Sequence, residues 1–131
     1  MKVFNFGTIR TDQNSGHVMG SVAGSSTTRD AVLKDSTGTA LIAGASGLEL
    51  GLAVVSVATA GDEVALMYDD DGAGTNSVTV CTFPMLTANY PMTILIYTQI
   101  PANKHVMSKN ASGARAYTIE VIGVTPTQAM T

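Results

Sequence analysis

Apolar residues recur at every second position along most of this chain, and short clusters of Gly, Ser, Asn, Asp and Pro interrupt them. Val64, Leu66 and Tyr68 mark one face of "EVALMY", and Tyr117, Ile119 and Val121 mark one face of "ARAYTIEVIGV". A two-residue period is that of a strand with one buried face. The 3.6-residue period of an amphipathic helix, supported by Leu, Glu, Lys and Arg, is not found.

Read in order, "KVFNFGTI" (2–9) opens as a strand with Phe4 and Phe6 on one face, and "HVMGSVA" (17–23) follows after an "NSG" turn. "GSSTTRD" (24–30) is a polar loop. "AVLKD" (31–35) and "TALIA" (39–43) flank "STG" and predict a hairpin. "GASG" (44–47) turns into the longest run, "LELGLAVVSVATA" (48–60). Its apolar phase moves from Leu48, Leu50, Leu52 and Val54 to Val55 and Val57. A slip of one residue reverses the buried face, so a bulge or burial on both faces is expected near Val54 and Val55. In "SVTVCTF" (77–83), Val78 and Val80 are expected inward. "MTILIYTQI" (92–100), bounded by Pro91 and Pro101, is apolar on both faces and reads as a central strand. "KHVMSK" (104–109), "NASG" and "ARAYTIEVIGV" (114–124) read as a closing hairpin with Tyr117, Ile119 and Val121 facing the core. The pattern predicts a single all-β domain over residues 1–125, an antiparallel β-sandwich or closed barrel of about eight to ten short strands with little or no helix. A short flexible tail, 126–131, is expected after it.

Composition narrows the function classes. Only 13% of the 131 residues are charged, against roughly a quarter in ordinary domains. A surface poor in charge fits a protein that faces other protein, and it also fits a Ser/Thr-coated soluble β domain. The basic residues Lys2, Arg10, Arg29, Lys34, Lys104, Lys109 and Arg115 are scattered, and the net charge is -3. Nucleic-acid binding, which needs a concentrated basic face, is not expected. No apolar run is long enough for a membrane helix, and "MKVFNFGTIR" carries no secretory leader. The expectation is synthesis in the cytoplasm, with no membrane partner. Asn110-Ala111-Ser112 matches a glycosylation sequon, discounted without a secretion signal. Cys81 stands alone, so no intrachain disulfide forms, and its apolar setting marks a packed side chain.

The one acidic cluster is Asp69-Asp70-Asp71-Gly72. A calcium loop of the EF-hand kind starting at Asp69 would place Asp71 third and Gly74 sixth, but the fifth position is Ala73 and the twelfth is Val80, so two ligands are missing. The loop reads as the connection of a hairpin. A weak divalent site on Asp69, Asp71 and backbone carbonyls is the alternative. His17 and His105 show no metal-ligand spacing. "GASG" and "GSVAG" both fail the G-x-S-x-G pattern, and phosphate-binding glycine loops are absent. No catalytic, cofactor-binding or metal-ligating residue is assigned, and no enzymatic activity is expected.

The stretch "AVLKDSTGTALIAGASGLELGLAVVSVATAGDEVALMYDDDG" (31–72) resembles the central part of the lambda-type phage head-decoration proteins and related small phage head proteins. The resemblance runs from Leu33 and Asp35 through a Gly/Ala-rich turn to Gly51, Leu52 and Ala53. It then passes the small-residue turn at Ala60 and Gly61 into an apolar strand ending in an acidic-Gly loop. It implies a structural virion protein, a capsid decoration or cement protein on the outer shell. The implied partners are the major capsid protein or other virion subunits, with self-association as a trimer. The C-terminal hairpin has no counterpart in that pattern. The competing expectation is a β-sandwich binding module that recognises a glycan or protein through loops 69–76 and 101–105. The absence of Trp counts against glycan platforms.

Overall fold

Strands that are apolar on one face only must stack in two layers to hide that face. The computed structural model, which describes residues 3–4, 17–34, 37–123 and 128–129, shows that arrangement. Ten strands follow in order: β1 (Val3–Phe4), β2 (His17–Gly24), β3 (Asp30–Ala31), β4 (Leu48–Val57), β5 (Glu63–Asp69), β6 (Val78–Pro84), β7 (Met92–Ile100), β8 (His105–Asn110), β9 (Tyr117–Gly123) and β10 (Gln128–Ala129). One sheet has the order β2-β9-β4-β7 and the other β3-β8-β5-β6. All pairings are antiparallel, and there is no helix among the described residues. The fold is an all-β sandwich, and the sheets do not close into a barrel. β1 and β10 form a separate two-stranded ribbon, Val3 opposite Ala129. The remainder of the expected strand at 2–9, and of the tail at 126–131, lies outside the described residues.

The core is the inner faces of the two sheets. Leu50, Ala53, Val55 and Val57 of β4 and Ile119 and Val121 of β9 meet Val64 and Leu66 of β5, Phe83 of β6 and Val106 of β8. Each Val, Leu, Ile or Phe among them, removed from water, contributes roughly 1.5–3 kcal/mol. Tyr117 joins the layers by polar contact. Its buried hydroxyl donates to Asp30 Oδ2 at 2.8 Å and lies 2.8 Å from Ser108 Oγ. Asp30 and Ser108 belong to one sheet and Tyr117 to the other.

Several local expectations change. The phase slip of β4 falls at Gly51, between Leu50 and Leu52, not at Val54-Val55. The extra residue there belongs to β7, where Ile96 and Tyr97, the latter at φ of 35°, together face Gly51. Beyond it Ala53, Val55 and Val57 point inward, and Leu52 lies outside the core cluster. In β6 the register shifts between the Leu66–Cys81 and Met67–Thr79 pairs, leaving Val80 as the extra residue. Phe83 takes the deepest inward place, and Cys81 and Val80 pack beside the core. Val78 is exposed, contrary to expectation. The hairpin at 31–43 survives as isolated pairing: Leu33 bridges Ala40, and Leu41 N–H donates to Val32 C=O at 2.8 Å.

The expected closing hairpin of β8 and β9 is instead a crossover, because β8 pairs with β3 and β5 while β9 pairs with β2 and β4. Buried Asp62, in the neighbouring β4–β5 crossover, holds it. Asp62 accepts from Arg115 Nη2 at 2.5 Å and Nε at 2.9 Å, and from Asn110 Nδ2 at 2.8 Å. Asn110 also accepts from Ser112 and Gly113 N–H, curling the "NASG" turn away from hairpin pairing. The Arg115 and Asn110 hydrogen bonds hold the Asp62 carboxyl below its ordinary value.

The expected central strand, β7, is an edge strand paired only with β4. Its two apolar faces therefore require another explanation.

Candidate functional site

The acidic loop is the connection of the β5–β6 hairpin, and its carboxylates are occupied by the loop itself. Asp69 is buried and accepts from the N–H of Gly72 at 2.5 Å and of Gly74 at 3.1 Å. Asp71 accepts from the Thr75 hydroxyl at 2.6 Å and from Ala73 N–H at 2.8 Å. These bonds lower the Asp71 carboxyl to about 2, the Thr75 hydroxyl contributing most. Asp70 accepts from Asn76 Nδ2 at 2.7 Å and forms an ion pair with Lys104. The Lys104 and Asn76 hydrogen bonds hold its carboxyl below the ordinary value. Gly72 and Gly74 take φ of 76° and 102°, the left-handed backbone that lets the loop curl onto its own side chains. A cation there would have to displace these donors. Among the described residues no group of three or more His, Cys, Asp or Glu is arranged to hold a metal.

The Asp70–Lys104 pair also brings the two expected binding rims, 69–76 and 101–105, together at one end of the sandwich. Their polar groups are turned toward one another. His105 stands opposite Asp69 in the β5–β8 ladder, and His17 begins β2 opposite Gly123 in the other sheet. Cys81 is half-buried, and burial pushes its thiol up, away from the reactive thiolate. A shallow pocket of about 420 Å³ lies near Gly24, Ser56, Asn89 and Tyr117, and the Tyr117 hydroxyl on its wall is already committed to Asp30 and Ser108.

The unusual surface is elsewhere. One flank of the sandwich is tied: Ser21 of β2 and Leu33 exchange backbone hydrogen bonds of 2.6 and 2.9 Å across the two sheets. The opposite flank, formed by the edges of β6 and β7, carries no bridging strand among the described residues. No Lys, Arg, Asp, Glu or His lies between Asp71 and Lys104, the segment that supplies both edges and the loop joining them. Soluble proteins ordinarily protect a long edge strand with charge, proline or a covering element. Here large apolar side chains stand in water: Leu86 is 85% exposed, Leu95 61% and Tyr90 59%, with Met92 and Tyr97 also exposed.

On the outer face of the first sheet this flank continues as an apolar row. Val18 is opposite Ile122, Ile122 opposite Leu52, and Leu52 opposite Leu95, so all four strands contribute. Directly opposed residues share a face. The two tyrosines alone, at ~150–250 Å² each when whole, leave on the order of 200 Å² exposed, and Leu86, Met92 and Leu95 add to it. Patches of that size mark interaction sites more often than ordinary surface. Sequence reading missed this site. The charge-free run was visible, but only the sheet order shows that residues 78–84 and 92–100 border the same opening.

No protein-family model, no curated protein and no solved structure matches the chain.

Proposed function

We propose that this chain is a structural virion protein, a phage capsid decoration or cement protein that stabilises a shell by non-covalent contact with neighbouring subunits. The observation that carries this reading is the open, uncharged β6–β7 flank with its exposed Leu86, Tyr90, Met92, Leu95 and Tyr97. Depletion of charge and enrichment of aromatic residues and Met characterise the centre of a protein interface. Such a flank gains free energy only when another protein covers it. The resemblance of residues 31–72 to head-decoration proteins supplies the setting, with the major capsid protein or another virion subunit as partner. Repetition over many copies multiplies a modest individual contact by avidity. No chemical step is needed.

The loop-binding alternative has less support. Its two rims are satisfied internally by the Asp70–Lys104, Asp70–Asn76 and Asp71–Thr75 contacts, and the exposed tyrosines lie on the β6–β7 flank.

The test is cosedimentation of the purified protein with heads of the phage or prophage whose genome carries it, with antibody labelling of those heads in negative stain. Binding that saturates at a fixed number of copies per shell is expected. Protein left in the supernatant, with unlabelled heads, overturns the proposal.

A further inference from the structure

We propose that β7 pairs antiparallel with the β7 of a second copy, about a twofold axis at Leu95, so that two first sheets join into one of eight strands. The inference deepens the decoration reading, and rests on it for the biological setting, by naming one of the contacts the open flank makes.

Four observations point to a second copy as the occupant. First, among the described residues β7 is a nine-residue strand at the edge of its sheet, laddered to β4. An open edge is the template for strand addition. Second, the centre of β7 is nearly palindromic: "TILIY", residues 93–97. Antiparallel pairing about Leu95 sets Leu95 against itself, Ile94 against Ile96, and Thr93 against Tyr97. Every match then keeps outward residues on the outer face and inward residues on the inner one. Third, Ile94 and Ile96 pack against the core yet remain half-buried at the rim of the sandwich. The partner's Ile96 and Ile94 would cover them, extending both cores. Fourth, the flank has no charge of either sign, while the chain as a whole carries -3. Two copies can therefore meet here without opposing like charges, and no complementary charge is demanded of a partner.

The remaining geometry fits. The apolar row Val18–Ile122–Leu52–Leu95 would run on through the partner's Leu95 across the whole joined sheet. Tyr97 has φ of 35°, which twists the strand after Ile96. Ile96 and Tyr97 form a bulge of β7 against Gly51, and across the axis that bulge meets Ile94 and the small Thr93.

The experiment is sedimentation velocity over a concentration series, together with oxidative cross-linking of Leu95→Cys and of Thr79→Cys, a control on the exposed side of β6, both in a Cys81→Ser background. The expected result is a dimer that Leu95→Lys converts to monomer, and a disulfide dimer from the residue 95 variant but not the residue 79 variant. A wild-type monomer or trimer, equal cross-linking at both positions, or none at 95 overturns the pairing. A wild-type monomer that still binds phage heads overturns the pairing alone. A dimer that never binds them overturns the decoration reading alone.

Discussion

Leu52 and Leu95 stand directly opposite each other on the outer face of the first sheet, yet Leu52 is buried and Leu95 is 61% exposed. The difference is position. Leu52 lies on an inner strand, shielded by neighbours on both sides, while Leu95 lies on the edge. A leucine that keeps more than half of its surface in water, with a neighbour on one side only, contributes little to folding. Leu95→Lys should therefore leave the melting temperature within roughly 3 °C of wild type. A large drop in a thermal scan would mean that Leu95 is held by the rest of the chain and that the flank is not open.

Tyr117 ties the two sheets through Asp30 and Ser108. Tyr117→Phe keeps the ring in the core but leaves the buried Ser108 hydroxyl without its partner. A loss of about 1–2 kcal/mol is expected in chemical denaturation, the cost of one unmade buried hydrogen bond. An unchanged midpoint would contradict this cross-link.

Gly20 is a place where only glycine fits. A Cβ added there would stand 2.7 Å from the Leu33 carbonyl oxygen and 3.0 Å from Val32 Cγ1. The first neighbour is backbone, held by the Ser21–Leu33 bonds, and cannot move aside cheaply. Gly20→Ala should destabilise by roughly 1–3 kcal/mol, whereas Gly38→Ala, with open space around its Cβ but φ of 80°, should show only the backbone strain of about 1 kcal/mol. Equal effects in a denaturation series would remove the steric account.

The acid limb of stability follows from the aspartates. Asp62, Asp70 and Asp71 are all held below their ordinary 3.8, Asp71 at about 2. Groups depressed in the folded state stabilise it above the unfolded value, and that contribution is lost as pH falls through the folded value. The melting temperature should be level above about pH 5 with respect to these groups and fall from pH 4 toward pH 2. Asp62→Asn should flatten part of that fall. Because it breaks the clamp on two crossovers, it should also lower the melting temperature near neutral pH by roughly 10 °C. A fall beginning near pH 6 would point to other groups.

Each carboxylate of the acidic loop already accepts hydrogen bonds from the chain. Millimolar calcium should not raise the melting temperature, and EDTA should not lower it. A calcium-dependent rise of several degrees would show that the loop reopens to bind the ion.

Much of the fold was legible from alternation. Tyr117, Ile119 and Val121 face the core as the period predicts, and the acidic run is the turn that its glycines imply. The errors share a physical origin. "NASG" has turn chemistry whether the chain returns to the same sheet or crosses to the other. The choice was made by long-range pairs such as Leu66 with Ser108 and by the Asp62 clamp, which no local pattern contains. "MTILIYTQI" read as central because both its faces are apolar, and a sequence cannot say whether the cover comes from its own chain. The irregularity opposite Gly51 is hidden in the sequence because Leu52 and Val54 are apolar although they face outward, and because its extra residue lies on β7.

The central claim is that the uncharged flank is what this protein uses. The most direct measurement is cosedimentation with phage heads of wild type beside a Leu86→Lys/Leu95→Lys variant, after thermal scans show both folded alike. Saturable binding by wild type, lost or weakened at least tenfold in the variant, is the predicted result. Binding of equal strength by both proteins would contradict the claim, because it would place the contact on another face of the sandwich.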